Sequence, residues 1–169
     1  LTDIQSAQAA GERVMGLLET EPEIRDSEAV LAAAADPVAA AALQAERITE
    51  LEFRNVDFAY ATGGKILSNF NLKVRPGETI ALVGPSGGGK STIVSLACRF
   101  YEPTGGAVLV NGVDYRERPL QWLQSQLGSV LQTPHLFKGS VRDNIRYGRL
   151  DATDAEVEEV ARLVNAHDF

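Results

Sequence analysis

Nine consecutive residues carry the clearest chemistry in this sequence. Gly84-Pro85-Ser86-Gly87-Gly88-Gly89-Lys90-Ser91-Thr92 matches the pattern G-x-x-x-x-G-K-[ST] in full. Glycines let a backbone curl until successive N–H groups converge on phosphate oxygens, and a helix starting there adds the positive end of its dipole. Lys90 can neutralise β- and γ-phosphates, and the Ser91 hydroxyl can ligate Mg2+. The alternative is a glycine-rich turn arising by chance. The flanks argue against it: a continuous apolar run, Thr79–Val83, precedes the loop, and a helical pattern from about Lys90 to Tyr101 follows it. This is the pattern of a nucleoside triphosphate site.

Other elements must position that loop. Ile4, Ala7, Gly11, Val14 and Leu18 recur at three- and four-residue steps and predict an amphipathic helix. Residues 20–28 are polar and acidic. Ten alanines between Ala29 and Ala45, interrupted at Asp36-Pro37, predict two short helices or a helical linker. From Ile48 the period becomes two, so Leu51, Phe53, Val56 and Phe58 mark a half-buried strand to Tyr60, with a bulge near Asn55. A second strand holds Phe70, Leu72 and Val74. Thr79–Val83 reads as a strand buried on both faces, Gly105–Val110 as another that ends at the tight-turn pair Asn111-Gly112. Leu120–Leu123 predicts a short helix and Gly128–Gln132 a short strand. Ser140 and Thr153 open the last two helices, Thr153 with Glu156 as a capping box. The alternation of strands and helices points to an α/β fold.

A phosphate loop does not by itself choose among kinases, GTPases, motors and transport ATPases. Further residues narrow the choice. Tyr60 lies 24 residues before Gly84, and Gln132 lies 42 residues after Lys90, in Val130-Leu131-Gln132. Leu136-Phe137 and Ser140-Val141-Arg142-Asp143-Asn144-Ile145 come next. Residues 48–169 resemble, in this order of motifs, the nucleotide-binding domain of ATP-binding cassette (ABC) transporters, and the segment after the glutamine looks like the exporter type. The resemblance implies an α/β P-loop NTPase core with an antiparallel β subdomain, incomplete here and preceded by a helical linker. It implies ATP and Mg2+ as ligands. Tyr60 matches the aromatic that stacks on adenine, residues Gly84, Pro85, Ser86, Gly87, Gly88, Gly89, Lys90, Ser91 and Thr92 the phosphate loop, and Ser91 and Gln132 the metal-side groups. Gln132 also matches the catalytic-site glutamine that reaches the attacking water while its loop touches the membrane domain. Residues 1–47 would be the cytosolic end of the last membrane helix plus a linker, and 48–169 the first part of the nucleotide domain. An ordinary accessory helix is the rival reading of residues 1–18. The implied partners are a second nucleotide-binding domain and the membrane domain, at the cytosolic face of a membrane. Trp122, Phe137 and His135 could lie near the surface that receives it, although buried packing is an equal reading for Trp122 and Phe137, and His135 could be an ordinary loop residue.

The departures from that family matter as much. It continues with a Leu-Ser-Gly-Gly-Gln signature, a second apolar strand ending in Asp and a catalytic Glu, and a switch histidine, and these 169 residues hold none of them. His167 stands in the wrong place for the last. With no carboxylate to polarise water, weak nucleotide binding and no turnover are expected of this chain alone. Without the second apolar strand, exposed sheet surface is expected as well, so that the chain would associate, be partly ordered, or come from a larger one.

Composition agrees with a globular chain: 44% hydrophobic and 23% charged residues supply a core and exclude collagen-like and disordered classes. One cysteine, Cys98, excludes an internal disulfide; among Val94, Leu96 and Ala97 it reads as a small core side chain. No apolar run reaches the ~18 residues of a membrane span, and no signal peptide is visible. The net charge of −7 is uneven: residues 1–50 carry −7, residues 51–150 carry +5 and residues 151–169 carry −5. An acidic total argues against nucleic acid as a partner, while the basic middle suits an anion.

Overall fold

The computed structural model describes residues 2–133 and 135–168; the side chains of residues 2–4 and 6 are outside the description, so Leu1 and the Ile4 side chain of the expected first helix are not placed. Two compact units emerge, Leu1–Leu127 and Gly128–Phe169.

In the first unit, α1 (Thr2–Leu18) is one uninterrupted helix whose Val14, Met15, Leu17 and Leu18 side chains are exposed. The alanine-rich stretch forms two helices, α2 (Glu28–Ala35) and α3 (Pro37–Ala45). Ser27 caps α2 by accepting the Val30 N–H, and Asp36 caps α3 by accepting that of Val38. Pro37 stands at the start of α3, where its missing N–H costs no hydrogen bond. The two axes bend by 92° at this break, and among the described residues no single helix is long and apolar enough to cross a membrane.

A four-stranded antiparallel sheet follows, in the order β2 (Lys65–Val74), β1 (Leu51–Ala59), β3 (Gly105–Val110), β4 (Val113–Asp114). The expected bulge is present. Asn55 has φ +50°, and the register of β1 slips between Phe53 and Val56 against β2. That slip puts Phe53, Val56 and Phe58 on the buried face together, each at most 3% exposed. Asn111 and Gly112, both at positive φ, turn β3 into β4, as a two-residue hairpin of this composition should.

Helix α4 (Lys90–Ala97) lays Ile93 and Leu96 on this face, and Tyr115, Trp122 and Leu123 complete the core; Trp122 and Leu123 come from α5 (Leu120–Ser125). α4 stops four residues short of the expected Tyr101. Arg99 takes φ +54°, its N–H goes to Leu96 O, and the Phe100 N–H reaches back to Ser95 O. Those two bonds form a Schellman ending, with an arginine in the left-handed position that glycine usually holds.

Two strand expectations fail. Thr79–Val83 is not a strand: Ile80 is 43% and Val83 88% exposed. β1 pairs with β2, and β3 with β4, through short local connections. The long crossover from β2 through α4 to β3 leads the chain back to β1, and no described strand lies beside Thr79–Val83 for the parallel pairing that such a run needs. Gly128–Gln132 also lacks strand pairing, and Val130 is fully exposed, for the same reason.

In the second unit, α6 (Val141–Arg146) and α7 (Asp154–Leu163) each begin with a capping box, Ser140 with Asp143 and Thr153 with Glu156. The Thr153 pair was legible in the sequence; the Asp143 partner extends the same device to the helix before it. Val157 and Ala161 are buried on α7.

Candidate functional site

The loop of residues 84–89 leads directly into α4. Gly87 and Gly89 adopt φ +78° and +80°, the left-handed region that glycine enters without steric cost. The Gly88 N–H closes a tight turn on Pro85 O at 3.1 Å. Gly89 is also a close-approach point: a Cβ there would lie 3.1 Å from both Ile66 Cγ2 and Leu67 Cδ2 of β2. Gly89 is the N-terminal cap of α4 and has no capping side chain. The first N–H groups of the helix are therefore left for an external acceptor.

Lys90 folds back over the loop. Its Nζ donates to Gly84 O at 2.9 Å and Pro85 O at 2.7 Å. Two of three ammonium donors are thus engaged with loop carbonyls, and the charge is held at the loop. Ser91, in the first turn of α4, is exposed. Thr92 is buried, and its Oγ1 lies 3.1 Å from the Tyr60 hydroxyl. Tyr60, just past β1, is thereby tied to the helix that follows the loop.

The Tyr60 ring packs edge-on with Phe58 at 4.9 Å and with Tyr101 at 5.2 Å between centroids. All three rings line a cavity of about 480 Å3, within the ~300–1,000 Å3 of small-molecule sites. Tyr101, like the residues that hold this cavity's other wall, carries no motif by which the sequence would single it out.

These residues fit a nucleotide and a phosphate-bound metal in different degrees. The curled loop, the uncapped helix start and the Lys90 ammonium suit a polyphosphate. Among the described residues there is no group of three His, Cys, Asp or Glu side chains able to hold a metal. Mg2+ commonly relies on phosphate oxygens, water and few protein ligands, and Ser91 supplies one hydroxyl on this loop. Gln132 belongs to the second unit, where its side chain is exposed.

The remaining singled-out residues separate cleanly. Trp122 is 7% exposed, lies under the Arg118 guanidinium at 5.1 Å, and has no acceptor for Nε1 among the described residues; the packing reading is the observed one. Phe137 is half-exposed, its ring centroid 4.5 Å from Tyr147 and 5.0 Å from His135. Cys98 is partly buried, and that burial raises its thiol pKa, which makes it a poor nucleophile.

Comparison with known proteins bears on the same segments. The sequence is 44% identical over 167 residues to ABC transporter B family member 1 of Arabidopsis thaliana, covering 96% of this chain and 12% of that protein. It is 41% identical over 167 residues to the ATP-dependent lipid A-core flippase of Syntrophus aciditrophicus (strain SB), covering 98% and 26%. A solved structure of a bacterial Atm1-family ABC exporter with ATP bound superposes with a TM-score of 0.77 at 31% identity, covering 98% of this chain and 27% of that one. This chain thus spans roughly a quarter or less of the length of these relatives. The family described as ABC transporter matches residues 67–169. That match takes in the whole phosphate loop and α4 and more than half of the sequence, and the chain belongs to the ABC transporter family.

Proposed function

We propose that this chain is the ATP-binding portion of an ABC exporter. Residues 48–169 would form the first part of the nucleotide-binding domain, and residues 1–47 the cytosolic end of a membrane helix with its linker. The observation that carries this reading is the conformation of residues 84–92: left-handed glycines, an uncapped helix start and the Lys90 ammonium folded over the loop. The exposed apolar side chains of α1 support the reading of residues 1–18 as a helix that meets a membrane domain.

Each residue has its own task in this reading. The N–H groups of Gly87, Gly89, Lys90, Ser91 and Thr92 receive phosphate oxygens, that of Gly88 does so by giving up Pro85 O, and Gly84, Pro85 and Ser86 shape the loop. Lys90 exchanges its carbonyl partners for β- and γ-phosphate, a charge-assisted replacement. The Ser91 hydroxyl and the Gln132 amide hold the metal side, and the Gln132 amide orients the attacking water. Tyr60 stacks on adenine. Bound Mg2+ supplies charge neutralisation for phosphoryl transfer. The whole protein would couple ATP binding and hydrolysis to movement of a substrate across a membrane, pairing with a second nucleotide-binding domain and touching its membrane domain near Gln132, at the cytosolic face. These 169 residues alone would bind nucleotide weakly without turnover, since they contain no catalytic Glu, signature or switch His.

Calorimetric titration with Mg-ATP tests the assignment. Lys90→Ala and Tyr60→Ala should each weaken binding relative to the unaltered protein. Equal affinity in all three would overturn it.

A further inference from the structure

The cavity beside Tyr60 has a second wall that no nucleotide motif accounts for. Glu23 and Ile24, from the segment between α1 and α2, line it together with Phe58, Tyr60, Tyr101 and Glu102. Ile24 is half-buried there, although its segment belongs to neither a helix nor a strand. Something else must fix it. Two residues on, both carboxylate oxygens of Asp26 accept the Leu120 N–H, at 3.1 and 3.0 Å, and one also accepts Arg99 Nη1 at 3.1 Å. Arg99 Nη2 donates to the intervening Arg25 O at 3.4 Å. Arg99 is itself the residue that ends α4.

The two walls are therefore anchored to opposite ends of one helix. Tyr60 is bonded to Thr92 in its first turn, and Ile24 follows Arg99 just past its last. Thr92 and Arg99 are seven residues apart on and just past α4, so these anchor points stand about 10 Å apart along its axis. The lining is aromatic and aliphatic on one side, and the two glutamates would repel a polyphosphate. A flat heterocycle fits this cavity and the phosphate end of a nucleotide does not.

We propose that Ile24 contacts the base of the bound nucleotide, and that the Arg99–Asp26 ion pair is the positioning device that keeps it there. The proposal rests on the nucleotide-site reading above. It makes the linker part of the binding site, so that movement of the chain leading into residues 20–27 alters base affinity without touching the phosphate loop.

Comparing Mg-ATP with Mg-tripolyphosphate in the full protein, by calorimetry, separates the two ideas. Ile24→Ala should weaken ATP about tenfold, the size of a lost apolar contact in a pocket, and leave tripolyphosphate unchanged. Ile24→Leu should restore the ATP affinity. Asp26→Asn should shift the ratio of the two affinities in the same direction as Ile24→Ala while leaving the cavity wall chemically intact. Lys90→Ala should weaken both ligands. If Lys90→Ala acts on both but Ile24→Ala leaves the ratio unchanged, or weakens both ligands equally, the linker proposal is wrong and the phosphate site stands. If Lys90→Ala affects neither ligand, the nucleotide reading itself fails, and the linker proposal with it.

Discussion

The Arg99 guanidinium donates to the Asp26 carboxylate at 3.1 Å across 73 residues of sequence, with 1% of the arginine side chain and 13% of the aspartate side chain exposed. The same guanidinium reaches Glu102 through Nε at 2.9 Å, Tyr115 O at 3.2 Å and Arg118 O at 3.0 Å. A buried arginine is tolerated when its charge is paired and its donors are used. Here the partners lie on the linker, on the turn after α4 and ahead of α5, so one side chain ties three segments of the first unit together.

Breaking this pair from either side should have unequal cost. Arg99→Met leaves Asp26 with the Leu120 N–H but no cation, takes the guanidinium from the Tyr115 and Arg118 carbonyls, and should destabilise by roughly 3–5 kcal/mol, as loss of one partner of a buried pair does. Asp26→Asn should cost less, since Glu102 still balances the charge. Urea denaturation of the two variants checks the order, and equal losses would contradict it.

Gly106 and Gly112 offer a contrast in backbone demand. Both have positive φ, +73° and +80°. A Cβ on Gly106 would meet Asn55 O at 2.2 Å and Arg54 O at 2.5 Å, while one on Gly112 meets nothing within 4 Å. Gly112→Ala should cost about 1–2 kcal/mol of left-handed strain. Gly106→Ala must also push the β1 bulge aside and should exceed roughly 4 kcal/mol, measured by thermal or urea unfolding.

The start of α7 should be acid-sensitive. Hydrogen bonds from the Thr153 N–H and hydroxyl, and then Arg149, pull Glu156 down to about 2. An unperturbed glutamate titrates near ~4.3. Because the folded pKa is the lower one, the stabilisation is present above ~4.3 and disappears as pH falls toward 2. Carbon-13 titration of the Glu156 carboxyl should show the depressed midpoint, and Thr153→Ala should move it back toward the ordinary value.

Tyr60 joins two roles that substitution can part. Tyr60→Phe removes the bond to Thr92 and should cost about 0.5–1.5 kcal/mol of stability while keeping a ring for the base. Tyr60→Ala should lose about 1–3 kcal/mol of nucleotide binding as well, the size of an aromatic–base stack. Unfolding curves and Mg-ATP titrations of the pair check both halves.

What the sequence revealed depended on how local the cause was. The phosphate loop, the Asn111-Gly112 turn, the break at Asp36-Pro37, the Ser140 and Thr153 starts of α6 and α7 and the Asn55 bulge are set by residues within a few positions of one another, and each is legible. Thr79–Val83 misleads because apolar β-branched content marks a segment that can be a strand, whereas pairing depends on a neighbour elsewhere in the chain. The ending of α4 is hidden because arginine is a good helix former; what puts Arg99 at φ +54° is the set of acceptors gathered around its side chain from distant positions. The Tyr60–Thr92 contact joins two residues that the motifs name separately, and only the fold shows that they touch. Ile24 and Tyr101 carry no motif at all, and enter the site solely through the cavity they share with Tyr60.

Whether residues 84–92 receive the phosphates of ATP is tested most directly by amide chemical shifts during a titration with Mg-ATP. The amides of Gly87, Gly88, Gly89, Lys90, Ser91 and Thr92 should shift most and saturate on one binding curve, and Lys90→Ala should move that curve to higher ATP concentration. Saturable shifts that bypass this loop, or no shifts there at ATP concentrations that saturate binding, would contradict the account.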